Sequence, residues 1–125
     1  MRVPRVGTGE RHVVLYMMGW DLPTEREKLH VYVNKARNDW IPMTLGQEGV
    51  LDVATYENPM GGTPQILVVI HFADMASWQA YVASPDNRRV MRELHILGCD
   101  NISNHIWMPS KLTPEPVKRG EWPGT

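Results

Sequence analysis

The sequence predicts one α+β domain: a four-stranded antiparallel sheet, with elements in the order β-α-β-β-α(α)-β and helices on one face of the sheet. Three observations lead to it. Four apolar, β-rich runs alternate with segments that carry helix start and stop signals. The chain has 125 residues, a common size for a single domain. In the run Gln65 to Phe72, Ile66, Val68, Ile70 and Phe72 point one way while Leu67, Val69 and His71 point the other. Both faces of that strand are apolar, so both need cover.

His12 to Met18 (HVVLYMM) is rich in β-formers and reads as the first strand, followed by a turn from Gly19 to Pro23. Thr24-x-x-Glu27 reads as a capping box, in which hydroxyl and carboxylate each satisfy a free backbone N–H. The helix it opens has Leu29, Val33, Ala36 and Trp40 on one stripe. Pro42 is expected to end it, because the residue before a proline disfavours the helical conformation. Val50 to Tyr56 is the second strand, Asn58 to Pro64 (NPMGGTP) a loop, and Gln65 to Phe72 the third strand. Asp74 offers an N-cap to a helix with Met75, Trp78 and Val82 on one face. Ser84-Pro85 restarts a helix with a capping residue and a proline at the first position. Val90, Met91, Leu94 and Leu97 are its inward stripe, and Gly98 its stop. Asn101 to Met108 is the fourth strand. The chain thus divides into an N-terminal arm (1–11), a domain (12–112) and a proline-rich tail (113–125).

Lys and Arg total 13 against 14 Asp and Glu, a net charge of −1. That balance points away from nucleic acid and anionic membrane as partners. The single cysteine, Cys99, cannot form an intramolecular disulfide. The apolar run Ile66 to Ile70 is far too short to span a bilayer, and the N-terminal stretch lacks the apolar centre of a signal peptide. The localisation read from this is cytoplasmic. Five Trp and four Tyr stand against one Phe. Such side chains join a polar handle to a large apolar body and serve either as core filling or as interface and pocket walls; Trp40 and Trp78 are candidates for the latter.

The element order is the split βαβ arrangement of ferredoxin-like domains. Its helix-free face would here be apolar, and the simplest cover is the same face of a second copy about a two-fold axis. The chain resembles the dimeric α/β-barrel superfamily, which includes EthD-like proteins, antibiotic-biosynthesis monooxygenases, muconolactone isomerases and some polyketide cyclases. The likeness covers about His12 to Leu112 and is most specific from Val69 to His95. There, an apolar strand ends in His71-Phe72-Ala73-Asp74, followed by Trp78-Gln79-Ala80-Tyr81, Ser84-Pro85-Asp86 and a helix carrying Arg88 and His95. This is most similar to the EthD-like branch. The resemblance implies a homodimeric barrel, with a pocket between the sheet and its helices or inside the barrel. Several members carry a histidine late in the first helix; here that segment reads Arg37-Asn38-Asp39-Trp40, and His30 lies earlier.

Strand alternation suggests where chemistry would sit. If Ile106 and Phe72 face the helices, then His105, Trp107 and His71 face the barrel. Strands three and four run the same way on either side of strand one, so both histidines occupy one half of the sheet. An assumed register puts Val14 and Tyr16 between them. The expected site is therefore His71, His105 and Tyr16 as catalytic groups, with Trp107, Val14, Val69, Leu67, Trp40 and Trp78 around the substrate. Imidazole can take a proton near neutral pH, a phenol can hydrogen-bond an enolate or phenolate, and indole gives a flat wall. No Asp, Glu or Cys is patterned beside the histidines as a third metal ligand, so neither metal nor other cofactor is expected. The function read from this is a cofactor-free enzyme of isomerase, cyclase or monooxygenase type. It would act on a small apolar carbonyl, phenolic or polyketide-like compound by acid–base chemistry. The alternative is a non-catalytic ligand-binding or dimer-forming accessory protein.

Overall fold

The computed structural model describes residues 13–122. The arm expected over 1–11 and the last three residues of the tail lie outside them. Strands β1 (Val14–Asp21), β2 (Val50–Glu57), β3 (Ile66–Phe72) and β4 (Asp100–Trp107) form one antiparallel sheet in the order β2-β3-β1-β4. Helices α1 (Arg26–Lys35), α2 (Ile41–Leu45), α3 (Met75–Val82) and α4 (Pro85–Ile96) complete the element order expected from sequence. Residues 108–122 form no helix or strand.

The local chemistry of α3 and α4 follows the sequence. Asp74 caps α3 by accepting from the Ser77 N–H at 2.8 Å, and Ser84 caps α4 by accepting from the Asn87 N–H at 3.1 Å. Gly98, at φ +85°, closes α4: its N–H donates to the His95 carbonyl and that of Cys99 to Leu94. This is the paired bonding of a Schellman stop, whose left-handed residue is usually glycine.

The first helical segment departs from expectation at both ends. The N-cap is Glu25, without a side-chain capping bond, so the Thr24/Glu27 box does not form. The helix begins one residue later than the box requires, which leaves Glu27 one position short of its reciprocal partner. Pro42 does not end the segment. Residues Ala36–Trp40 form a π-turn, closed by a bond from the Ile41 N–H to the Ala36 carbonyl, and the helix continues as α2 until Gly46. Proline is tolerated in the first turn of a helix, where its missing N–H has no partner to lose. The wide turn restarts the helix at Ile41 and puts Pro42 in that position.

The core lies between the sheet and the helices. Val14, Phe72 and Leu94 are its fully buried side chains, joined by Tyr16, Met18, Trp20, Ile70, Tyr81 and Val90. Trp20, Trp40, Tyr16, Tyr32 and Tyr81 are all buried, so most of the unusual aromatic complement is core. Tyr16 meets Trp78 edge-on at 6.0 Å and Tyr81 at 6.5 Å, and Tyr32 meets Trp40 at 5.6 Å.

These contacts correct the expected register of strand one. Val14 pairs with Phe72, and Tyr16 with Ile70 and Ile106. Directly opposed residues share a face, so Val14 and Tyr16 face the helices. The residues between the histidine-bearing strands are Leu15, opposite His71 and Trp107, and Met17, opposite Val69 and His105.

Candidate functional site

Candidate functional side chains gather in two places among the described residues, one on each face of the sheet. On the helix-free face, Leu67, Val69 and His71 of β3 lie alongside Leu15 and Met17 of β1 and His105 and Trp107 of β4. His71, His105, Trp107, Val69 and Leu67 therefore share the face expected of them. The two histidines do not meet: β1 lies between their strands and they stand in successive rows, which puts their Cα atoms roughly 12 Å apart from ordinary strand spacings. His105 stacks on Trp107 with ring centroids 6.3 Å apart.

The partner of His71 is Asp52, whose Oδ1 lies 2.6 Å from His71 Nδ1. The histidine is about one-third exposed (34%) and the carboxylate more open (64%). Sequence reasoning missed Asp52 because a straight ladder from Val50 opposite Phe72 would set Leu51 opposite His71. A bulge between Val50 and Asp52 inserts one residue and turns Asp52 to the imidazole. The available signal was the lone acidic residue in an otherwise apolar and β-branched run.

The second place is a cleft of about 60 Å³ between the sheet and the segment α1–α2. Its walls include Trp20, Tyr32, Trp40 and Tyr81, with Thr44 adding a hydroxyl. The Trp20 indole N–H donates to the Tyr32 hydroxyl at 2.9 Å. Burial pushes the Tyr32 phenol up to about 12, against a smaller downward pull from that bond, so near neutral pH Tyr32 keeps its proton and can donate a hydrogen bond. Tyr81 is also raised by burial, with Thr44 pulling the other way.

The π-turn supplies Ala36 and Trp40 to this cleft, and α4 holds the turn in place. Arg89 grips both oxygens of Asp39, at 2.9 and 3.0 Å, and Glu93 accepts from Trp40 Nε1 at 2.8 Å and from Lys35 at 3.1 Å. The Arg89 hydrogen bonds hold the Asp39 carboxyl below its ordinary value. Burial pushes the Glu93 carboxyl up, but the bonds from Trp40 and Lys35 and the charges of Lys35 and Arg89 outweigh it and leave it lowered. π-turns recur at functional sites, and this one is anchored by charge-assisted bonds.

No family model matches the sequence, and no curated protein sequence matches it. Solved structures do match. A candidate antibiotic biosynthesis monooxygenase from Deinococcus radiodurans aligns with TM-score 0.63 and 13% identity over 85% of this chain and 96% of that one. An ethyl tert-butyl ether D (EthD) family protein from Bacillus halodurans aligns at 0.55 and 15%, over 77% and 96%. A dimeric protein of unknown function with a ferredoxin-like fold, from Bacteroides fragilis, aligns at 0.61 and 15%, over 77% and 95%. The fold is ferredoxin-like. At these identities the likeness is one of fold alone.

Within this ferredoxin-like frame, Trp40 is a cleft wall and the remaining expected residues divide between the faces. Tyr16 and Val14 are removed from the histidines by the register of β1, and burial, then Tyr81, raises the Tyr16 phenol further. Trp78 packs on the helix side against Tyr16, with its indole N–H buried and unpaired. Tyr32, Trp20, Thr44, Asp52 and Glu93 were not singled out from sequence. Among the described residues no three His, Cys, Asp or Glu side chains converge as a metal site, and no helix is long and apolar enough to cross a membrane.

Proposed function

We propose that the protein binds a small, flat, apolar molecule whose carbonyl or phenolic oxygen enters the cleft and accepts a hydrogen bond from Tyr32. The observation that carries this is the Tyr32 hydroxyl in an aromatic cleft, held by Trp20 from behind and faced by Trp40. A neutral phenol in an apolar site stabilises charge developing on a ligand oxygen without itself reacting. That is what enolate or phenolate chemistry in isomerisation, cyclisation or oxygenation asks of a donor, and one structural neighbour, the candidate antibiotic biosynthesis monooxygenase, is in keeping with it. The same arrangement also serves a binding protein that performs no reaction. Titration with naphthol, followed by the fluorescence of the tryptophans, tests the reading: saturable quenching is expected, weakened about tenfold in Tyr32→Phe. Naphthalene binding as tightly as naphthol would remove the role given to Tyr32.

The protein is further read as a homodimer through the helix-free sheet face, where Leu15, Met17 and Leu67 are only half-buried in one chain. One neighbour of the same fold is dimeric. The His71–Asp52 pair favours a second reading of catalysis, with His71 as a general base oriented by Asp52 inside the resulting barrel. Loss of turnover in His71→Gln and in Asp52→Asn, with Tyr32→Phe unaffected, would support that reading over the first.

A further inference from the structure

We propose that the ligand of this cleft is a monocarboxylic acid longer than the cleft itself, and that Arg37 binds its carboxylate in the groove outside. This rests on the cleft reading above. The cleft, at about 60 Å³, is smaller than the roughly 150 Å³ cavity that takes up a benzene molecule. It can therefore accept only the end of a flat ligand. The rest has a defined place to go. An open groove of about 470 Å³ shares Tyr32, Ala36, Ile41 and Thr55 with the cleft, so the two spaces adjoin. The groove runs between the helical segment and β2 and is bordered by Arg37 and Glu57.

The charges of this region are arranged asymmetrically. Lys35 and Arg89 are committed to Asp39 and Glu93. Arg37, which directly follows the shared residue Ala36, makes no ion pair among the described residues, and neither does Glu57 on the facing wall. An unengaged guanidinium at the junction of an apolar cleft and an open groove is a geometry for a carboxylate, which its planar fork can take through two parallel bonds. Glu57 opposite repels additional negative charge, which favours one carboxylate over two.

The test uses the full chain with a hydroxynaphthylbutanoic acid and its methyl ester, titrated by calorimetry against wild type, Arg37→Gln and Glu57→Gln. Arg37 is exposed, so its replacement leaves the core intact. In wild type the acid is expected to bind about five- to tenfold more tightly than the ester. That preference should vanish in Arg37→Gln and grow in Glu57→Gln. Equal binding of acid and ester to wild type, or a preference that survives Arg37→Gln, overturns the proposal while leaving the cleft reading standing. Absence of binding by both compounds overturns the two together.

Discussion

Asp52 reaches His71 across the β2–β3 ladder, 2.6 Å from carboxylate oxygen to imidazole nitrogen, because β2 is bulged by one residue immediately before it. The bulge converts a position that would have presented Leu51 into one that presents a carboxylate. The bond engages Nδ1 of the imidazole and leaves Nε2 without a hydrogen-bond partner among the described residues.

Both members of this pair are substantially exposed in the single chain, and exposed side-chain pairs contribute about 0–1 kcal/mol even when both partners are charged. His71→Gln is therefore expected to change the stability of the unassociated chain by no more than about 1 kcal/mol, read from urea unfolding at low protein concentration. A larger loss, persisting on dilution, would mean that the imidazole is sealed into a core.

Which residues belong to which face was legible wherever the strand pattern was anchored. His71, Leu67 and Val69 alternate against the wholly apolar Ile66-Val68-Ile70-Phe72 set, and His105 and Trp107 alternate against Ile106, so their common face could be read. The run expected as strand one, HVVLYMM, is apolar at every position after the histidine. Period-two alternation carries no information there, and its register is set by pairing with β3, a long-range choice. The same holds for Asp52, whose orientation depends on a bulge. Tyr32 stands three residues after Leu29 and four before Ala36, so it shares their helical face; it is buried, while Val33, expected on that stripe, is exposed. The capping residues Asp74 and Ser84 and the stop at Gly98 were legible because their chemistry is local.

Tyr32→Phe should cost stability as well as ligand affinity. Trp20 and Tyr32 are both buried, and the substitution leaves the Trp20 indole N–H without its acceptor. A buried donor left unpaired costs about 1–3 kcal/mol. Tyr16→Phe, on the same face but outside the cleft lining, is expected to leave naphthol affinity unchanged. Equal weakening by the two variants, measured at matched folded fractions, would argue against a specific bond from Tyr32.

The anchor of the π-turn should be visible in the pH dependence of stability. Arg89 holds the Asp39 carboxyl below its ordinary value. A carboxyl lowered on folding contributes stability that is fully present above its unfolded pKa, about 3.9, and is lost as pH falls through the folded value. The side chains of Asp39 and Arg89 are each 31% exposed, so the contribution stays at or below about 1 kcal/mol. Urea unfolding across pH should find wild type more stable than Asp39→Asn by a constant margin from about pH 5 upward, narrowing below about pH 4. A margin unchanged into the acid range would show that Asp39 is not linked to folding through its charge.

The last expectation concerns the open sheet face. The helix-side core is complete within one chain: Val14, Phe72 and Leu94 are fully buried without help from a second copy. The opposite face leaves Leu15, Met17 and Leu67 half-buried around Val69. Association through that face would add apolar burial without rebuilding the core, and stable interfaces bury about 800 Å² on each partner. Wild type should therefore sediment as a dimer at low micromolar concentration. Met17→Lys puts a charge at the centre of the face, where a two-fold related lysine would approach it, and burying unpaired charge is costly. The variant should sediment as a monomer with unchanged far-ultraviolet dichroism, since nothing on the helix side has moved. A wild-type monomer at that concentration would remove the dimer, and with it the barrel in which His71 and Asp52 would act. The Tyr32 cleft, built from one chain, would remain.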